Sequence, residues 1–246
     1  MPQRFRYPMT LSTQNLSPAK LQTTLIKATG LVRYDAKSQT NLLKSLDFTL
    51  AAGDRVAVTG PSGSGKSVFL RALALLDSLT SGQVFWRNTL VSGAGIPAYR
   101  RHVSYIAQRP AMLEGTVEDN LRYPFSLKVY KDRTFDREAA LRLAELAGRG
   151  DGFLDKQSSE LSGGEAQIAA LIRVLQLQPD VLLLDEPTAA LDPESSREIE
   201  ALVSAWFNAA NGDDRAYLWV SHDQAQAKRM SGRHLTMLAG TLSEQT

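Results

Sequence analysis

Gly60-Pro61-Ser62-Gly63-Ser64-Gly65-Lys66-Ser67 satisfies the pattern G-x-x-x-x-G-K-[ST] with no gap. The apolar run Arg55-Val56-Ala57-Val58-Thr59 before it reads as a buried strand, and Val68 to Leu76 after it reads as a helix. Strand, glycine loop and helix in that order are the setting the pattern requires. Glycines let successive backbone N–H groups turn inward. Together with the positive end of the following helix, those donors bind phosphate oxygens. Lys66 offers a point charge to the β- and γ-phosphates of a nucleotide, and Ser67 offers a hydroxyl to Mg2+. The competing reading is a glycine-rich turn that binds no nucleotide. The fit of both flanks weighs against it.

The chain around this loop has 246 residues, enough for one large α/β domain or two small ones. It is 43% hydrophobic and 22% charged, as ordinary globular proteins are. No apolar run approaches the ~20 residues of a membrane helix, so any action at a membrane goes through a partner. Cysteine is absent, which excludes disulfides and thiolate metal sites and fits a reducing compartment. The net charge of +2 is unevenly placed, because Arg4, Arg6, Lys20, Lys27 and Arg33 all precede the first acidic residue, Asp35. Setting those five aside from the 28 basic residues leaves 23 against 26 acidic ones, and a slightly acidic body argues against a nucleic-acid surface.

Residues 1–22 are rich in Ser, Thr, Gln and Pro and read as a flexible N-terminal tail. They lack the apolar core of a secretory signal, though a basic, acid-free start also fits a transit peptide. Leu25 to Arg33 and Asn41 to Leu50 read as paired antiparallel strands, the first leading into Tyr34. Gln83 to Arg87 reads as a short strand, Ser92 to Pro97 as a loop, and Tyr99 to Ala107 as a strand ending at Gln108. From about 109 to 178 the pattern is helical and reads as a lobe on the core. Asp136 to Ala147 forms one helix there, and Ser162 caps a longer one that runs toward Pro179. Val181-Leu182-Leu183-Leu184 and Tyr217-Leu218-Trp219-Val220 are apolar strands, with an amphipathic helix from Pro193 to Asn208 between them. A short helix follows, and a hairpin around Gly240 closes the pattern. Strands alternating with helices imply a mostly parallel sheet.

Asp185 ends its apolar run, so its carboxylate belongs at the carboxyl edge of the sheet, where open α/β sheets bind ligands. There it can hold Mg2+. Glu186 follows at once, and a carboxylate beside a γ-phosphate can orient the attacking water or accept its proton. Leu161-Ser162-Gly163-Gly164-Glu165 opens a second helix with a second glycine loop. It reads either as another anion site or as a plain helix cap.

In this order, the segments resemble the nucleotide-binding subunits of ABC transporters over about residues 23–242. Gly60 to Ser67 matches Walker A, Val181 to Glu186 Walker B, Gln108 the Q-loop and Leu161 to Glu165 the signature. Ala190-Leu191-Asp192 matches the D-loop and His222 the switch histidine. Tyr34 stands where the family keeps an aromatic that stacks on adenine; otherwise it is a strand aromatic packed on the sheet. The resemblance implies a cassette over 23–246 in an α/β fold. That fold has a P-loop NTPase core with a mostly parallel sheet, an antiparallel β subdomain and a helical signature subdomain. It implies ATP and Mg2+ as cofactors, with Gly60, Pro61, Ser62, Gly63, Ser64, Gly65, Lys66 and Ser67 around the phosphates. Ser67, Gln108 and Asp185 are then the metal contacts, and Glu186, His222 and Gln108 the catalytic groups. Two copies should close head to tail, so that Ser162, Gly163 and Gly164 of one meet the γ-phosphate held by the other. An integral membrane subunit is the second implied partner, with the chain at the cytoplasmic face of the inner membrane. One departure stands out: the family usually carries Arg where Ile168 follows Gln167, so a contact near the signature helix is expected to differ.

Tyr105 to Leu121, Leu171-Ile172-Arg173 and Leu218 to Asp223 look like one small subfamily. It comprises the ATP-binding subunits of bacterial iron exporters and a related plant aluminium-tolerance subunit. Only 24 residues follow His222, so no C-terminal regulatory domain is expected. The resemblance therefore implies an exporter ATPase. Binding-protein-dependent import, or a soluble ABC-type ATPase acting on nucleic acid, ribosomes or cluster assembly, are the alternatives.

Overall fold

The computed structural model describes residues 23–150, 152–209 and 214–244. The tail expected over 1–22 lies outside the described residues. Two long strands come first, β1 (Thr24–Asp35) and β2 (Thr40–Ala51), followed by β3 (Arg55–Thr59) and α1 (Lys66–Leu73). Next come β4 (Ser81–Trp86), β5 (Thr89–Leu90), α2 (Ile96–His102) and β6 (Val103–Ile106). The helical stretch holds α3 (Val117–Arg122), α4 (Arg137–Leu146) and α5 (Gly163–Leu175). After it, β7 (Val181–Asp185), α6 (Pro193–Asn208), β8 (Ala216–Val220), α7 (Gln224–Met230), β9 (Arg233–Leu238) and β10 (Thr241–Glu244) complete the order.

The six-stranded sheet runs β10-β9-β3-β8-β7-β6, and every pair from β9 to β6 is parallel. Only the edge hairpin β9–β10 is antiparallel. The second sheet, β2-β1-β4-β5, is antiparallel throughout. The fold is thus an α/β P-loop NTPase core with an antiparallel sheet beside it.

Both faces of the parallel sheet are covered, which is why its strands are continuous apolar runs rather than alternating ones. Val56, Val58, Leu183 and Leu218 point into one cluster with Phe69 and Leu70 of α1 and Leu31 and Leu43 of the antiparallel sheet. Leu182, Leu184 and Trp219 point into the other, with Leu121, Ala144, Ile168, Leu171, Ile172 and Leu202. The segment expected as a lobe therefore shares its core with the sheet, and α5 lies across both.

One expectation is corrected. The loop expected from Ser92 and the strand expected from Tyr99 give way to a short turn at Gly93–Gly95 and then α2, with the strand confined to Val103–Ile106. Pro97 sits in the first helical turn, where its missing N–H costs nothing. Tyr99 is buried, and its hydroxyl donates to the Leu73 carbonyl at 2.7 Å. A helical turn is what brings that ring over the end of α1.

Candidate active site

The sheet register assembles the site. Val58 of β3 and Asp185 of β7 both pair with Val220 of β8, and Ile106 of β6 pairs with Leu184. The carboxyl ends of four adjacent parallel strands are therefore level. Gly60, Gln108, Glu186 and His222 each follow one of those ends by one or two residues.

The loop at 60–67 is shaped by positions that only glycine tolerates. Gly60 has φ 146°, and a Cβ there would stand 2.2 Å from the Met237 carbonyl oxygen. Gly65 has φ 106°, with the Leu42 carbonyl 2.8 Å from its would-be Cβ. The hairpin turn braces the loop from behind. Gly240 donates its N–H to the Ser64 carbonyl, and its own carbonyl accepts from Lys44 N–H, both at 2.9 Å. Lys66 is buried at the start of α1 and donates from Nζ to the carbonyls of Gly60 (2.9 Å) and Pro61 (3.0 Å). The same ammonium lies 3.7 Å from Glu186 Oε1.

Asp185 is buried and receives two hydrogen bonds, from Ser67 Oγ at 3.0 Å and from the Tyr105 hydroxyl at 2.8 Å. Burial pushes the Tyr105 phenol far above its ordinary range, and the hydrogen bond to Asp185 raises it further, so it stays a donor. Ser67 and Asp185 offer adjacent hard oxygens, the donor type Mg2+ takes. That ion is held by one or two protein oxygens plus substrate phosphates rather than by a full protein cage. Among the described residues no group of three or more acidic, His or Cys side chains is placed to hold a metal.

Glu186 is gripped on both carboxylate oxygens. Oε1 meets His222 Nε2 at 2.6 Å, and Oε2 accepts from Gln108 Nε2 at 3.1 Å. Its backbone has φ 47°, a left-handed conformation that a glutamate adopts at a cost of ~1–3 kcal/mol. The Glu186 carbonyl accepts the Ala189 N–H at 3.2 Å, closing a turn at the end of β7. A carboxylate so placed can take a proton from water. The imidazole beside it, 46% exposed, faces the open side. Gln108 turns its Nε2 to Glu186, leaving Oε1 as its ligand-type atom for an ion.

The signature residues sit elsewhere. Ser162 caps α5, its Oγ accepting Glu165 N–H at 3.2 Å while Ser162 N–H donates to Glu165 Oε2 at 3.0 Å. Gly164 packs against Ser195, whose Oγ would lie 2.6 Å from an added Cβ. Among the described residues no hydrogen bond or ion pair joins Ser162, Gly163 or Gly164 to residues 60–67. Tyr34 remains 41% exposed, with its backbone N–H on Thr80 Oγ1. The departure at Ile168 is absorbed by packing, since the side chain is fully buried in the second core cluster. Sequence reading missed Tyr105, whose position next to the last residue of β6 carries no motif. It also missed Gly240, whose contact with the loop depends on a hairpin about 180 residues away in the chain.

A phosphate loop after one strand and a strand-end carboxylate pair beside it define a P-loop nucleoside triphosphatase. The chain belongs to the ABC transporter family, whose profile matches residues 43–189. It is 40% identical over 195 residues to the probable iron export ATP-binding protein FetA of Escherichia coli K12, covering 79% of this chain and 82% of that one. It is 37% identical to the protein STAR1 of Oryza sativa subsp. japonica, over 89% of this chain and 62% of that protein. The phosphate import ATP-binding protein PstB 1 of Enterococcus faecalis is 32% identical over 89% of this chain and 88% of its own length. Among solved structures, the ATP-binding cassette MJ0796, a dimer in a post-hydrolysis state bound to ADP and Pi, superposes with a TM-score of 0.78 at 25% identity. That match takes in 90% of this chain and 98% of the other. The chain is an ABC-type ATPase that binds ATP with Mg2+.

Proposed function

We propose that this ATPase powers an exporter of iron or a similar metal through a membrane-embedded partner, and that it turns over as a head-to-tail pair of copies. The observation that carries hydrolysis is the grip on Glu186 by Gln108, His222 and Lys66 at the carboxyl edge of the sheet. In this reading the N–H groups of residues 60–67 and the Lys66 ammonium bind the phosphates, and Ser67, Asp185 and Gln108 hold Mg2+. The ion neutralises charge on the β- and γ-oxygens when bound. Glu186 orients a water and takes its proton, His222 steadies Glu186, and ATP and water become ADP and phosphate. Tyr34, exposed on β1, is free to stack on adenine.

Two features support pairing. Ser162 and Gly163 are exposed, with no hydrogen bond or ion pair to the phosphate loop of their own chain among the described residues, and the MJ0796 cassette is itself dimeric. Among the described residues no helix is long and apolar enough to cross a membrane, so coupling to transport needs a separate or additional membrane element. Export of iron rests on similarity to FetA, while similarity to PstB 1 favours import as the second reading.

The deciding experiment is a tagged pull-down of the full chain from detergent-solubilised membranes, with partners identified by mass spectrometry. A polytopic membrane protein without a substrate-binding protein supports export, and vesicle loading with iron then tests the cargo. A permease with a binding protein turns the reading to import. Ribosomal or DNA-bound partners alone would sink the transporter reading and leave the ATPase in place.

A further inference from the structure

Behind the contact between His222 and Glu186 lies a single buried amide, Gln226 in the first turn of α7. Its Nε2 donates to Glu200 Oε1 of α6 at 2.8 Å and to Thr188 Oγ1 at 2.9 Å. Its Oε1 accepts from Ser221 Oγ at 2.8 Å and from the Trp219 indole N–H at 3.2 Å. The orientation of the amide is dictated by chemistry. An indole nitrogen can only donate, and a carboxylate held by Arg229 at 2.9 Å accepts, so oxygen must face Trp219 and nitrogen must face Glu200.

The partners matter because of where they stand. Thr188 lies two residues after Glu186, on the turn closed by the Glu186 carbonyl. Ser221 immediately precedes His222, and its Oγ accepts the Asp223 N–H at 2.9 Å. Asp223 in turn caps α7 through the N–H groups of Ala225 and Gln226. The turn bearing the carboxylate and the turn bearing the imidazole are thus joined by one side chain. Gln226 also lines, with Glu186, Thr188, Ser221 and His222, a groove of about 640 Å3.

We infer that Gln226 is a positioning residue for hydrolysis: its amide crosslinks the Thr188 turn to the Ser221 turn and so holds His222 against Glu186. This rests on the reading of Glu186 and His222 above. It touches neither the phosphate loop nor any residue expected on the nucleotide, so its effect belongs to turnover rather than binding.

The test is steady-state ATPase kinetics of the full chain. Gln226→Met keeps the length of the side chain and removes every polar contact. It is expected to lower kcat about 10- to 100-fold, the range a misplacement of about 1 Å produces, with KM for ATP within about twofold of wild type. In a His222→Ala background the same change should lower kcat by less than about twofold, because a residue acting only through His222 has nothing left to position. Thr188→Val removes one arm of the crosslink while leaving Trp219 and Glu200 partnered. It should lower kcat in the same direction by a smaller factor, and it carries the test if Gln226→Met does not fold. Unchanged kcat in the folded variants overturns the inference, as does a KM rising in step with the loss, or a full additional loss in the His222→Ala background. Should His222→Ala and Glu186→Gln both turn over at the wild-type rate, the reading of the site itself fails. That outcome is separate from one in which those two lose activity and the Gln226 and Thr188 variants do not.

Discussion

In the proposed mechanism Glu186 concentrates the chemistry in one side chain, held by Gln108 and His222, and that environment sets what each substitution does. Glu186→Gln removes the proton acceptor but keeps the shape and the Gln108 contact. Its kcat should fall about 10²- to 10⁴-fold, the usual worth of a general base, with nucleotide affinity near wild type. A wild-type kcat would remove Glu186 as the base. Lys66→Ala removes a buried ammonium that donates to the Gly60 and Pro61 carbonyls and that, in the proposed mechanism, makes charge-assisted hydrogen bonds to phosphate. Loss of about 1.5–3 kcal/mol, or about 10- to 150-fold in Kd for ATP measured by calorimetry, is expected. At this scale the sequence was informative where a residue type belongs to a motif. The loop at 60–67, Asp185, Glu186, Gln108 and His222 were all legible, and the structure brings these to one edge, while Tyr34 stands on the antiparallel sheet. Tyr105 and Gln226 were not legible. Each acts through a partner some 80 or 40 residues away, and no local pattern marks such a partnership.

At the level of elements, α5 shows how local rules and tertiary packing combine. Its N-terminus is a capping box between Ser162 and Glu165, and Glu165 is further held by Lys156 Nζ at 2.7 Å. The Lys156 hydrogen bond first, and the Ser162 N–H next, hold the Glu165 carboxyl below its ordinary value of 4.5. A carboxyl with a depressed folded value contributes stability that is fully present above the unfolded value and disappears as pH falls through the folded one. Urea denaturation should therefore show stability falling as pH drops below the ordinary value of 4.5, and Glu165→Gln should flatten that part of the profile. An unchanged slope would mean the cap contributes nothing to the fold. Ile168, one turn further along α5, is fully buried in the core shared with the sheet. Ile168→Ala is expected to cost about 2–5 kcal/mol in the same assay. The start of α5 and both ends of α6 were readable, with Ser162 and Pro193 as strong local punctuation, whereas α5 ends at Leu175, short of the stop expected at Pro179. α2 was misread because its seven residues hold too few periodic positions to outweigh the apolar run that follows.

At the scale of the whole molecule, the proposed pairing supplies what one copy does not. Among the described residues no hydrogen bond or ion pair joins Ser162, Gly163 or Gly164 to the phosphate loop of the same chain, and the proposed site draws them from a second copy. Ser162→Arg should leave ATP affinity of the monomer intact while abolishing turnover, read by nucleotide titration beside steady-state ATPase. Undiminished turnover would remove the two-copy site. In the same spirit, Glu186→Gln incubated with ATP should shift to twice the mass on a sizing column, and a monomer peak would count against the pairing.

The sequence by itself determined the local chemistry: a glycine loop fitted to cradle an anion, a carboxylate pair at a strand end, and helix caps. These depend on residue type and spacing along the chain, which are properties of the chain alone. Only the tertiary structure decided which of those groups meet. The parallel register of β3, β8, β7 and β6 levels four strand ends and places Gln108 and His222 each within hydrogen-bonding distance of Glu186. The Gly240 hairpin and the Gln226 amide then lock loops that the backbone alone leaves free. Contacts across many tens of residues form because burying both faces of the sheet outweighs the entropy of closing the loops between them, and that balance is settled by the packed core as a whole.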